Sequence, residues 1–175
     1  KASDMIEYFY KCSGSPEWNK VQEGSHNSTL QPGAKLPWTI VVNDTGVLNW
    51  ESDTEWVITD TIPKGLVLDQ NSVKIKCASW FTPDVSSYTV TVTKEANGTT
   101  KLVITMKPDA FSYKQGDTKK IYEDIFITYD TTLDPDCITI WQNNTAEFTN
   151  VAEFKRNGET KGDASFTEKV TREVV

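Results

Sequence analysis

The chain has 175 residues, with 18 Lys+Arg against 25 Asp+Glu and a formal net charge of −7, which excludes nucleic acid and anionic membranes as partners because like charges would repel them. Hydrophobic residues make up 37% and mean hydropathy is −0.48; with no apolar run of roughly eighteen residues, no membrane insertion is expected. The length suits a single domain spanning residues 1–175 with a sizeable core.

Apolar and polar residues alternate with period two, and β-branched and aromatic residues fill the alternating runs, so the chain reads as all-β. Met5 to Lys11 is the first expected strand, followed by a polar loop holding Gly14, Pro16 and Gly24. Pro32-Gly33 turns the chain into Trp38–Asn43, which ends at Asp44-Thr45-Gly46. Glu55–Asp60 is a further strand, stopped at Ile62-Pro63-Lys64-Gly65 because proline cannot donate to a ladder. Ser72–Cys77 is a short one. Tyr88–Thr93 and Lys101–Met106 flank Ala96-Asn97-Gly98-Thr99, where Asn-Gly predicts a tight hairpin with both turn residues at positive φ. Ala110–Tyr113 and Gly116-Asp117 suggest one helical turn. Ile121–Tyr129, Asn144–Lys155 and Ala164–Val170 complete the set, with Asn157-Gly158 turning between the last two. About nine or ten strands without a helix-period segment point to a β-sandwich.

Three cysteines, Cys12, Cys77 and Cys137, form no CxxC pair, so neither a disulfide framework nor a zinc site is suggested; they are expected to be buried or incidental thiols. His26 is the only histidine. It lies in the polar run Glu23–Ser28 and reads as a solvated loop residue. No cofactor or metal site is expected. Neither end shows a basic segment followed by an apolar one, so any secretion signal or wall anchor is expected outside these residues.

Five phrases, in order, resemble the isopeptide-forming, immunoglobulin-like modules of Gram-positive pilins and surface adhesins, the CnaA-type domains. They are Tyr10-Lys11; LQPGAKLPWTIVVNDTG (Leu30–Gly46); VITDTIPKGL (Val57–Leu66); ITYDTTLD (Ile127–Asp134); and FTNVA (Phe148–Ala152). The resemblance covers roughly residues 6 to 155. Two features depart from the family pattern: Trp38 stands where tyrosine is more usual, and three cysteines are unusual for such proteins.

The resemblance implies an immunoglobulin-like sandwich that serves as a stalk or shaft module of an extracellular, cell-surface adhesin or pilus, with neighbouring modules as its partners. It also implies a self-made cross-link. A first-strand lysine attacks a late-strand asparagine amide, assisted by an acid, and ammonia is lost. The corresponding residues are Lys11, Asp60 and Asn150. Burial would lower the lysine pKa and raise that of the acid, giving a neutral amine nucleophile and a protonated carboxyl group to polarise the amide.

Each residue has a plainer reading. Lys11 could be an edge-strand lysine that blocks sheet pairing, and Asp60 a turn residue bonding its own backbone. Asn150 has a rival in Asn144, within Asn144-Thr145-Ala146, but its own flank alternates more cleanly. Lys35 follows a turn directly and is expected to be solvated.

Six tryptophans suggest a second function. Trp18, Trp50, Trp80 and Trp141 fall in or beside expected loops, whereas Trp38 and Trp56 lie on strands. Clustered loop rings could bind a host matrix protein or glycan; the plainer reading is that they cover the core. Asn27, Asn43, Asn97 and Asn143 head Asn-x-Ser/Thr sequons, which would mark a secreted glycoprotein in a eukaryotic source, although chance matches are expected in a chain rich in Asn and Thr. Glu51, Asp53 and Glu55, or Glu123 and Asp124, could pair as in glycosidases or bind calcium. No nucleophile elbow, phosphate loop or EF-hand accompanies them, so no enzyme acting on an external substrate is expected.

Overall fold

A computed structural model of the chain describes residues 9–13, 24–31, 33–43 and 53–173. Residues 5–8 of the expected first strand, Gly14, Pro16, Trp18, Pro32, Asp44-Thr45-Gly46, Trp50 and Glu51 lie outside that set. In chain order the strands are β1 (Phe9–Ser13), β2 (Gly24–Leu30), β3 (Lys35–Val42), β4 (Trp56–Ile62), β5 (Leu66–Cys77), β6 (Tyr88–Lys94), β7 (Thr100–Met106), β8 (Ser112–Gln115), β9 (Thr118–Ile121), β10 (Ile125–Leu133), β11 (Thr145–Arg156) and β12 (Glu159–Arg172).

Two sheets face each other. One has the order β1-β3-β10-β5, the other β2-β12-β11-β4-β7-β6, and β8-β9 stands apart as a hairpin. The pairings are antiparallel apart from the parallel one between β2 and β12. Period two explains the layers, because successive side chains of a strand point to opposite faces. On β4 the buried set is Trp56, Ile58, Asp60 and Ile62, and on β10 it is Ile125, Ile127, Tyr129, Thr131 and Leu133. Phe9 of the first sheet stacks on Phe154 of the second, with centroids 5.2 Å apart. Trp56 meets the Phe154 ring edge-on at 5.9 Å. Burying each such side chain stabilises the fold by roughly 1.5–3 kcal/mol.

Several local expectations need correction. The count exceeds the nine or ten strands expected, because Gly24–Leu30 forms β2 where a loop was read and β8 and β9 form a further hairpin. Its sequence is polar since it is a sheet-edge strand whose side chains are exposed or half-buried; its pairing with β12 is made by backbone groups, which hydropathy does not register. His26 therefore sits on a strand rather than in a loop. Gly116-Asp117, read as part of a helical turn, instead joins β8 to β9. A turn of 3₁₀ helix lies just ahead, at Pro108–Phe111, and another at Val85–Ser87. Strand β5 begins at Leu66, ahead of the expected Ser72, because its first half pairs with β10 across a register shift.

The Asn97-Gly98 turn is present between β6 and β7, but only Gly98 takes positive φ, at 91°. Gly98 N–H donates to the Glu95 carbonyl at 3.0 Å and Glu95 N–H to the Thr99 carbonyl at 2.9 Å, so the loop is longer than a two-residue hairpin. The two-residue form occurs at Asn157-Gly158, where both residues have positive φ, 52° and 78°.

Candidate functional site

A lysine, a carboxyl group, a carboxamide and a phenol each occupy an inward position on a strand whose buried face is mainly apolar. Lys11 comes from β1, Tyr129 from β10, Asp60 from β4 and Asn150 from β11, so each sheet supplies two of the four. The inward neighbours of Asn150 are Phe148 and Ala152, and Ala152 lies directly opposite Asp60 across the β4–β11 ladder. A methyl group there leaves room for the long lysine chain between the sheets.

Lys11, Asp60 and Asn150 have no solvent exposure and Tyr129 has 1%. Lys11 Nζ donates to Asp60 Oδ2 at 2.5 Å and to the Tyr129 hydroxyl at 3.1 Å. The Tyr129 hydroxyl donates to Asp60 Oδ2 at 2.9 Å and accepts from Asn150 Nδ2 at 2.6 Å. The structure thus brings the three expected residues together in one buried network, with Tyr129 at its centre. The Trp38 and Tyr129 rings lie 5.4 and 5.0 Å from Nζ and wall the amine from water. Trp38 is held by its own Nε1, which donates to Thr131 Oγ1 at 3.1 Å.

Burial dominates the electrostatics. Desolvation pulls the Lys11 pKa below its ordinary value, against the opposing attraction of Asp60. It raises the Asp60 carboxyl, against the stabilising effects of Lys11 and Tyr129. It also lifts the Tyr129 phenol well above its usual range, reinforced by the neighbouring Asp60 charge. Both shifts of the ion pair favour neutral amine beside neutral acid, since a water-poor interior penalises each charge. Asp60 Oδ1 and Asn150 Oδ1 are buried with no hydrogen-bond partner among the described residues. Such orphans each cost about 1–3 kcal/mol.

The other sequence candidates lie elsewhere. Asn144 sits just before β11 at φ 60°, and its Oδ1 accepts from Arg172 Nε at 3.1 Å. Lys35 is 70% exposed and 3.7 Å from Asp130. Asp53 is tied to Arg156 at 2.7 Å and accepts from Trp56 Nε1 at 2.8 Å, a structural clamp rather than half of a carboxylate pair. The three cysteines are free thiols.

Trp38 and Trp56 belong to the core. Trp141 packs edge-on against Phe148 at 6.1 Å and beneath the Arg172 guanidinium at 4.6 Å. Trp80 is 69% exposed and sits 5.7 Å from the Tyr122 ring, which also stacks on Phe81 at 5.1 Å. Tyr129 was the functional group that sequence reasoning missed. Its signal was an inward tyrosine on a central strand, since a buried phenol needs a hydrogen-bond partner.

No protein-family model matches the sequence, and no curated protein does. Solved structures do. The chain is similar to the N-terminal domain of an adhesin of Streptococcus gordonii, with TM-score 0.61 and 11% identity over 93% of this chain and 32% of that one. It is similar to a C-terminal fragment of the major pilin of Streptococcus agalactiae, with TM-score 0.59 and 17% identity over 93% and 55% of the two chains. The major pilin subunit of Bacillus cereus gives TM-score 0.54 and 16% identity over 94% and 39%. The chain thus spans between a third and just over half of the length of these proteins. At such identities the likeness is one of fold: the chain is an all-β, immunoglobulin-like sandwich similar to those of pilin and adhesin domains of Gram-positive bacteria.

Proposed function

We propose that this chain is a structural module of an extracellular bacterial adhesin or pilus, stiffened by an amide bond that forms between Lys11 and Asn150 without an external enzyme. The observation that carries the reading is the fully buried Lys11–Asp60 contact of 2.5 Å, joined to the Asn150 carboxamide through one hydroxyl. A neutral Lys11 amine adds to the Asn150 side-chain carbonyl carbon, the C–N bond to the amide nitrogen breaks, and ammonia leaves. A proton on Asp60 Oδ1 would donate to the Asn150 carbonyl oxygen, satisfying the two orphaned atoms at once and polarising the carbonyl for attack.

The bond would close a loop of about 140 residues and contribute on the order of 5 kcal/mol by restricting the unfolded chain. Tension that separates β1 from β11 would meet a covalent bond. Strand β12 follows Asn150 and is held to β11 by its ladder, so it lies outside the protected loop. Neighbouring modules of the same surface protein are the expected partners. Intact mass spectrometry tests the reading: the purified chain should be lighter than its sequence by one ammonia, and a full sequence mass in folded protein would remove the cross-link.

A second reading, ligand binding, is favoured by the Trp80 cluster. An exposed indole beside stacked Phe81 and Tyr122 rings suits a sugar face or a protein side chain. Loss of glycan-array or host-matrix binding in Trp80→Ala, with the ammonia deficit relative to its own sequence mass retained, would assign that role; no binding by the unaltered chain would withdraw it.

A further inference from the structure

We propose that the Tyr129 hydroxyl is a catalytic residue of the cross-linking reaction, delivering to the departing Asn150 nitrogen a proton that Asp60 replaces; this rests on the Lys11–Asn150 reading above. A phenol carries one hydrogen. Here that hydrogen is given to Asp60 Oδ2 at 2.9 Å, while the oxygen accepts from Asn150 Nδ2 at 2.6 Å. The hydroxyl therefore stands between the network's one carboxyl group and the nitrogen that must leave.

An amide nitrogen leaves only once protonated. In the resting state Nδ2 is planar and acts as a donor. After the Lys11 amine adds to the carbonyl carbon, Nδ2 becomes a tetrahedral amine with a free lone pair, and the same short contact reverses, with Tyr129 donating. The phenol gives its hydrogen to Nδ2 as Asp60 supplies another, so no phenolate accumulates in a setting that strongly disfavours one. Asp60 regains its proton from the collapsing intermediate, which carries the hydrogen that Lys11 sheds. The sum is one amine and one amide giving one substituted amide and ammonia, with Tyr129 and Asp60 unchanged.

Orientation alone does not account for this arrangement. A carboxamide can be held by any donor or acceptor, whereas a hydroxyl bonded to the acid, the amine and the leaving nitrogen together connects proton source to proton sink.

The test follows the ammonia deficit by intact mass spectrometry at intervals after cell-free synthesis of the full chain. Tyr129→Phe should slow cross-linking by about a hundredfold or more, the usual range for losing a positioned acid. A fluorinated tyrosine placed at position 129 keeps the hydroxyl and its contacts but acidifies it; it should shift the rate measurably from that of tyrosine. Tyr129→Phe reacting at the unaltered rate would overturn the proposal. So would a fluorinated residue that leaves the rate unchanged, because the hydroxyl would then only orient the amide. The fluorinated chain decides the matter even where the phenylalanine variant fails to fold. An unaltered chain that keeps its full mass would instead sink the cross-link itself, and this step with it.

Discussion

Two buried polar clusters tie β1 to the opposite sheet, and they differ in one respect that separates chemistry from architecture. At the Lys11 cluster, two oxygens on Asp60 and Asn150 stay unpaired and burial shifts every titrating group. Two residues further along β1, Ser13 Oγ donates to Glu168 Oε2 at 2.5 Å, and Glu168 Oε1 lies 2.8 Å from His26 Nδ1. Glu168 is equally buried, at 1% exposure, yet both of its oxygens are bonded and His26 reaches solvent with 35% of its side chain exposed. A satisfied carboxylate holds strands together; a desolvated, half-satisfied set is the one on which the proposed cross-linking draws.

Substitutions at each cluster test that contrast. Asp60→Ala should have the largest effect, since it removes the acid and leaves Lys11 alone in the core. Breaking a buried pair in this way costs about 3–5 kcal/mol, in addition to the lost cross-link, and the chain should keep its full mass with the steepest fall in Tm. Asn150→Ala leaves the Lys11–Asp60 pair in place. It should also keep full mass and lose about 5 kcal/mol, or about 10–20 °C in Tm for a chain of this size. Asn144→Ala should retain the ammonia deficit, and its loss there would move the amide partner to Asn144.

Single-molecule pulling would sharpen the difference between protected and unprotected segments. The unaltered chain should extend only by residues outside the 11–150 loop, whereas Asn150→Ala should extend fully. Glu168→Gln should cost less, about 1–3 kcal/mol for the hydrogen bonds disturbed, with the ammonia deficit intact. If that deficit disappears, the two clusters are not independent. The smallest effect concerns the thiols. Burial pushes Cys12 up to about 11 and Cys77 up to about 12, so both stay protonated in mildly alkaline buffer. Alkylation of the folded chain should modify Cys137 alone, and all three cysteines once denaturant is added.

Much of this was legible from residues in series. Val57–Asp60 and Phe148–Ala152 alternate cleanly, so Asp60 and Asn150 fall on the same face as their apolar neighbours, an unusual position for polar groups. Lys11 was harder to assign, because an edge lysine and a buried one look alike when the neighbouring sheet is unknown. Strand β2 was not legible at all: its side chains are mostly polar and exposed or half-buried, and its ladder with β12 is made by backbone groups. The Asn97-Gly98 loop was found, but its geometry was not, because Asn97 was free to keep negative φ once Gly98 supplied the reversal.

The sequence by itself determined the layer pattern and set the acid and the amide on the same faces as their apolar neighbours, since side-chain alternation along a pleated strand is a local property. Only the tertiary structure decided who meets whom. Tyr129 lies 118 residues from Lys11, 69 from Asp60 and 21 from Asn150, and no local rule specifies contacts across such distances. The packing of two sheets brings these strands into register, and the exclusion of water between them gathers four ordinary side chains into one desolvated network.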